Sequence, residues 1–296
     1  WYNNYMYSAI SHNKRNTVLI MAVFVAIIGV IGVFVGAATD NYYLAVIVLG
    51  CSIIYAWLQY FIAGKLAMAM TGAQEIEKKD APELWRVVEN LAITSGMPMP
   101  KVYIIDDPAP NAFATGRDPK HAIVGATTGL LEIMDKRELE AVMAHEMSHV
   151  RNYDIRVSMI AFGLVSAIGL FADLALRMMF YSDDRDREVS PIVYALGLVV
   201  VILAPILATI TQLAVSRQRE YLADASGVLL TRDTEGLANA LEKLRQFGRP
   251  MQKQSSSTAN LFMNNPLKPG FFSKLFSTHP PLEDRITRLR NNATKM

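Results

Sequence analysis

Glu138-Leu139-Glu140-Ala141-Val142-Met143-Ala144-His145-Glu146-Met147-Ser148-His149-Val150 is the stretch that decides the fold. It reads as a helix from about Lys136 to Tyr153, with Asp135 and Glu138 at capping-box spacing at its start. His145 and His149 stand four residues apart, one turn apart on one helix face. Both imidazoles can therefore reach a single zinc at about 2.0–2.1 Å. Zinc lowers the pKa of a bound water toward about 7, and Glu146 is placed to take the water's proton and pass it to a leaving amine. The competing reading is an ordinary helix with two histidines and a surface Glu, and a third ligand is what separates the two.

That ligand is sought downstream, in Arg219-Glu220-Tyr221-Leu222-Ala223-Asp224. A catalytic zinc takes three protein ligands and keeps one position open, which makes Glu220 the natural third. Asp224, one turn on, can accept the free N–H of a ligand histidine. Taken alone, a Glu and an Asp at this spacing are common on solvated helix faces. The intervening chain adds weight: 71 positions separate His149 from Glu220, and they hold two apolar runs. Two crossings, or one shallow hairpin, return the chain to the side it left.

These runs belong to a wider pattern. Charged residues are 19% of the 296, below the roughly 25% of soluble domains, and mean hydropathy is +0.21. Residues 16–39, 41–64, 157–172 and 189–216 carry no charge, and the other 204 residues hold all 56 charges. A membrane-crossing helix needs about 20 apolar residues, which predicts spans near 17–36, 44–63, 157–177 and 192–213. The third is short and interrupted by Asp173, so it either crosses or only dips in; a buried helix of the soluble domain is its alternative. Pro205 is expected to kink the fourth. Basic residues gather at His12–Arg15, Lys65, Arg217 and Arg219, whereas Asp40 stands alone in the first turn. The positive-inside rule then puts both termini and residues 65–156 in the cytoplasm. The first run is too long for a signal-peptide core, and a chain starting at Trp1 reads as lacking its initiator Met.

Four segments follow: a membrane hairpin over 1–64, a first catalytic part over 65–156, a second apolar hairpin over 157–216 and a second catalytic part over 217–296. Ala81–Ser95 is an amphipathic helix ended by Gly96. Lys101–Ile105, Asn111–Thr115 and His121–Ala126 are short strands. Thr234 is expected to cap a helix over Glu235–Phe247, and a last helix starts near Pro281. Arg249–Thr278, rich in Pro, Ser, Asn and Gly, reads as a mobile loop whose Phe271, Phe272, Leu275 and Phe276 either touch lipid or pack on the domain. The expected fold class is α+β and mostly helical: a multi-pass membrane protein with about four apolar helices and a zincin-like cytoplasmic domain around a small sheet. One Cys excludes a disulfide scaffold, and a net charge of +2 without a basic tract gives no support to nucleic-acid binding.

With these residues in place, the chain resembles the membrane zinc metallopeptidases of the HtpX heat-shock protease family, relatives of the CAAX prenyl proteases. His149-Val150-Arg151-Asn152-Tyr153-Asp154 is similar to the family's continuation of the zinc motif, and Arg219–Asp224 to its third-ligand segment. Asn111-Ala112-Phe113-Ala114-Thr115-Gly116 and Ser277-Thr278-His279-Pro280-Pro281-Leu282-Glu283-Asp284-Arg285 also look like family blocks. The resemblance implies one Zn2+ per chain on His145, His149 and Glu220, with Glu146 as general base. It implies cleavage of misfolded or damaged membrane proteins in the cell membrane, overlapping other quality-control proteases. It implies that an edge strand above the zinc binds substrate by strand addition, and His121–Thr127 (His121, Ala122, Ile123, Val124 and Gly125 foremost) is the matching segment. Asn111 and Phe113 would shape that groove, and His279 would help the oxyanion. Arg285 would bind a substrate carbonyl or pair with an acidic site residue, while Asn152 and Asp154 would support the site.

Two other functions compete. A transporter would show more spans, paired half-repeats and midplane polar residues, of which Asp173 is the only hint. A catalytically silent zinc scaffold or chaperone-like protein is the alternative function, and the intact Glu146 speaks against it.

Overall fold

The computed structural model describes residues 2–38, 41–164, 166, 217–253, 258–267 and 280–293. The third apolar run beyond residue 166, the fourth run, Asp173, the four aromatic-loop residues and His279 lie outside them.

Helices α1 (Tyr2–Ala38) and α2 (Tyr42–Thr71) form an antiparallel hairpin. Each is long and apolar enough to cross a membrane, over Ile10–Val30 and Ala45–Thr71. Both run past the predicted spans, and α1 is helical through its basic flank. At the hairpin end, a Cβ on Gly32 would lie 3.3 Å from the Ala45 backbone, so the missing side chain lets the helices close. Asn41 caps α2 by accepting from the Tyr43 N–H.

A four-stranded mixed sheet follows, in the order β1-β2-β4-β3. Its strands are β1 (Gln74–Glu75), β2 (Lys101–Ile105), β3 (Ala112–Gly116) and β4 (Ala122–Thr127). β4 is parallel to β2 and antiparallel to β3, with Ala114 opposite Val124. Around the sheet stand α3 (Pro82–Ser95), α4 (Thr128–Ile133) and α5 (Lys136–Arg151). Residues 154–164 form α6, followed by α7 (Arg217–Thr231), α8 (Thr234–Phe247) and α9 (Leu282–Ala293). β1 and α4 had no strong sequence signal: β1 is two residues long, and α4 is six. α5 carries the full capping box, with the Glu138 N–H donating to Asp135 and the Asp135 N–H donating to Glu138. Asp233, not Thr234, caps α8, accepting from the Gly236 N–H. The Asp233 carboxylate also pairs with Arg137 of α5, which a hydroxyl would not do.

β3 and β4 are buried on both faces, and strand alternation sorts their side chains. Ala112, Ala114, Val124 and Ala126 join a core with Leu84 and Val88 of α3 and Val142, Met143 and Met147 of α5. Phe113, Ile123 and Ile105 face the other way, into a second core with Ile20 and Phe24 of α1, Ala63 and Ala67 of α2, and Val157–Leu164 of α6. The apolar hairpin is therefore built into the same body as the sheet. The start of the third apolar run is buried between them, because α6 leaves the metal helix directly beneath α2.

One contact tests this junction. The Tyr55 hydroxyl donates to the Gly163 carbonyl at 2.8 Å, and a Cβ on Gly163 would fall on the Gln59 amide. Gly163→Leu is expected to destabilise the protein by about 1–3 kcal/mol through overpacking. Thermal unfolding in detergent checks it, and Gln59→Ala should restore part of the loss.

Candidate metal centre

α5 and α7 pack face to face and bring the three predicted ligands together. Among the described residues, His145, His149 and Glu220 form a group whose ligand atoms lie within 4.8 Å of one another. The two Nε2 atoms are 3.2 Å apart. Glu220 places Oε2 3.6 Å from the His145 Nε2 and Oε1 3.5 Å from the His149 Nε2. A tetrahedral ion with bonds of about 2.0–2.1 Å sets its ligands roughly 3.3–3.4 Å apart, so the donor set fits such a metal. Two imidazole lone pairs and a carboxylate that converge on one point repel each other, and a cation between them removes that repulsion.

The outer partners set the direction of each ring. His145 Nδ1 lies 2.9 Å from Asp224 Oδ1, and His149 Nδ1 lies 2.9 Å from Asp154 Oδ2. With Nδ1 as donor, each ring turns its Nε2 lone pair to the centre. Arg285 has no exposed surface; its Nη2 donates to Asp224 Oδ1 at 2.6 Å and its Nε to Oδ2 at 3.0 Å. Its Nη1 is 3.6 Å from Glu220 Oε2. Of its two expected roles, the contacts present are the acidic pairing. Asn152 caps the end of α5, with its N–H donating to the Ser148 carbonyl.

Charge follows from this packing. Burial and the Arg285 charge both oppose a charged His145, but the Asp224 and Glu220 carboxylates outweigh them and raise its pKa to about 9. Burial raises Asp224, yet Arg285 and His145 bring it down to about 2. Glu146 is raised, chiefly by burial, so its carboxyl holds a proton more readily than an exposed one.

Residues 78–293 match the model of peptidase family M48. The chain is 57% identical over 286 residues to a protease HtpX homolog of Tropheryma whipplei (strain TW08/27), covering 96% of this chain and 98% of the relative.

The chain belongs to peptidase family M48.

A protease HtpX homolog of Ligilactobacillus salivarius (strain UCC118) is 46% identical over 297 residues, covering 97% of this chain and 99% of that one. A crystal structure of S. mikatae Ste24p superposes with a TM-score of 0.51 at 23% identity, over 91% of this chain. The chain spans 61% of that protein's length, and the likeness shows the fold alone. This M48 peptidase is thus an HtpX-type metalloendopeptidase whose metal site is His145, His149 and Glu220.

The substrate-strand expectation needs correction. β4 is interior, with β2 on one side and β3 on the other, so both its hydrogen-bonding edges are used. Ala122, Ile123, Val124 and Gly125 cannot accept an added strand. His121 is exposed outside the sheet's end and pairs with Asp118 and Arg117. The strand with an outer edge beside the metal helix is β3, and its Ala114 lines the cavity at Glu146. The sequence could not separate β3 from β4, because both are short and wholly buried.

Asn111 and Phe113 also have other work in the M48 peptidase. The Asn111 amide donates to the Asn264 carbonyl at 2.7 Å, and its oxygen accepts the Asn264 N–H at 3.0 Å. Phe113 is buried edge-on against Phe262, with ring centroids 5.8 Å apart. Met263 donates its N–H to the Ala112 carbonyl at 2.9 Å. Residues 258–263 of the expected mobile loop are therefore a buried strap over the β3 edge, where Asn260, Leu261, Phe262 and Met263 roof the cavity, whereas Arg249, Pro250, Gln252 and Lys253 of the same loop are exposed. No motif marked this strap; Leu261-Phe262-Met263 is one of several short apolar clusters in that polar stretch of sequence, beside Phe271-Phe272 and Leu275-Phe276.

Proposed function

We propose that this M48 peptidase is a zinc-dependent endopeptidase of the cell membrane that cleaves misfolded or damaged membrane proteins at the cytoplasmic face. The observation that carries the chemistry is the ligand group at tetrahedral spacing, with Glu146 next to His145 and lining the same cavity. Held by His145, His149 and Glu220, zinc would supply Lewis acidity, which lowers the pKa of a bound water toward about 7. Glu146 would serve as the general base, taking a proton from the attacking water and handing it to the leaving amine. Asp224 and Asp154 keep the histidines in one tautomer, and Arg285 balances the Asp224 charge. His279 is assigned the oxyanion role.

An extended substrate adds to the edge of β3, where main-chain pairing tolerates many sequences. Ala114 is the residue of that edge in the cavity. Pairing as far as Ala112 displaces the Met263 N–H, so part of the strap moves aside. Val18, Leu19, Trp57 and Phe61 are exposed on the long helices, an apolar surface suited to lipid and to membrane-embedded clients. The basic flanks favour the arrangement with residues 65–156 and both termini in the cytoplasm.

Zinc content and chelator-sensitive self-cleavage of the purified protein test this reading together. One zinc per chain is expected, and removal of the metal should stop cleavage. Glu220→Ala should lose most of the metal. Full stoichiometric zinc in that variant would remove Glu220 from the ligand set.

A further inference from the structure

We propose that Asn13, on the first helix, is a positioning residue of the metal site, holding through its amide the Asp154 carboxylate that orients His149. The inference rests on His149 being a metal ligand. Asn13 is only 1% exposed, although it lies in the basic flank of an apolar helix. Its Nδ2 donates to Asp154 Oδ1 at 2.7 Å and to the Asn152 carbonyl at 2.9 Å. The other Asp154 oxygen faces His149 Nδ1 at 2.9 Å. One carboxylate thus bridges α1 to the imidazole.

The turn that carries Asp154 needs such a clamp. Asp154 follows His149 by five positions, and the chain must double back for the two side chains to meet. Tyr153 makes that reversal with φ of +62°, a region that a bulky side chain adopts only when its surroundings enforce it. Asn13 binds the residues on both sides of Tyr153, and the Lys14 ammonium sits 4.7 Å over the Tyr153 ring. The Thr17 hydroxyl donates to the Asn13 carbonyl at 2.9 Å, within the same helix. An amide suits this place because it donates to a carbonyl and a carboxylate at once. An Asp there would set two carboxylates against each other.

Consequently the start of α1, ahead of the apolar run in the same helix, reaches the carboxylate that orients a metal ligand. Loss of a partner that directly orients a ligand typically weakens metal binding by about 10–100-fold. One bond further out, Asn13→Ala is expected to raise the zinc dissociation constant of the full-length protein by about 3–10-fold. Asn13→Asp should do more. Chelator competition reads the affinity, and the visible absorption of the cobalt-substituted protein reads ligand geometry, which a purely structural role would leave unchanged. The swap Asn13→Asp with Asp154→Asn keeps one amide and one carboxylate across the contact, and should recover affinity relative to Asn13→Asp alone. Wild-type affinity and an unchanged cobalt spectrum in Asn13→Ala would overturn the inference, as would a swap that recovers nothing. Should Asn13→Ala not fold, the swap alone decides. His149→Ala belongs in the same series: retained stoichiometric zinc there would overturn the ligand set, and this inference with it.

Discussion

Glu146→Gln is expected to reduce peptide-bond cleavage by about 10²–10⁴-fold while the metal stays bound. The substitution keeps the size and shape of a side chain that is 3% exposed, so packing between α5 and α7 is preserved. It removes the group that accepts the water's proton, since an amide oxygen is far too weak a base. Glu146 stands beside a ligand and is not one of the three convergent donors. Metal content should therefore stay near one per chain, in contrast to Glu220→Ala. Cleavage of a casein or membrane-protein substrate in detergent, measured with zinc analysis on the same sample, checks both halves. An unchanged rate would sink the assignment of Glu146 and return the silent scaffold as the leading alternative.

Arg285→Met carries the second large effect, on stability first. The guanidinium is buried, and it makes two hydrogen bonds to Asp224 besides its approach to Glu220. Burial opposes its charge, but the carboxylates of Asp224, Glu220 and Glu146 outweigh that and hold it protonated. Removing one partner of such a buried pair leaves an uncompensated charge and typically costs about 3–5 kcal/mol. The loss should appear as a lower unfolding midpoint of the metal-free protein. Metal affinity should fall too, because Asp224 is the anchor of the His145 ring. Adding Asp224→Asn to Arg285→Met should recover stability without restoring affinity. A double variant no more stable than the single would mean that Arg285 acts through packing rather than through its charge.

Sequence and structure divide the site unevenly. The histidine pair was legible because both ligands sit one turn apart on one helix, where spacing alone sets direction. Glu220 was legible through a bookend argument: two apolar runs between His149 and Glu220 bring the chain back. α3, β2 and α5 followed from periodicity and caps, and their bounds differ from the expectation by no more than two residues. Strand identity was a different matter. β3 and β4 are equally short and apolar, and only pairing decides which has a free edge. Reading β4 as the edge was an error of that kind.

The sequence by itself determined the chemistry: two histidines and a glutamate base at helical spacing, a downstream Glu with an Asp one turn on, and apolar runs arranged around them. Tertiary structure alone decided what stands behind those groups. It set Arg285 against Asp224 across 61 positions, Asn13 against Asp154 across 141, and the 258–264 strap against the β3 edge. A local pattern encodes which face of a helix a residue occupies. It does not encode which distant backbone that face meets, because the meeting depends on how sheet, hairpin and metal helix share two buried cores.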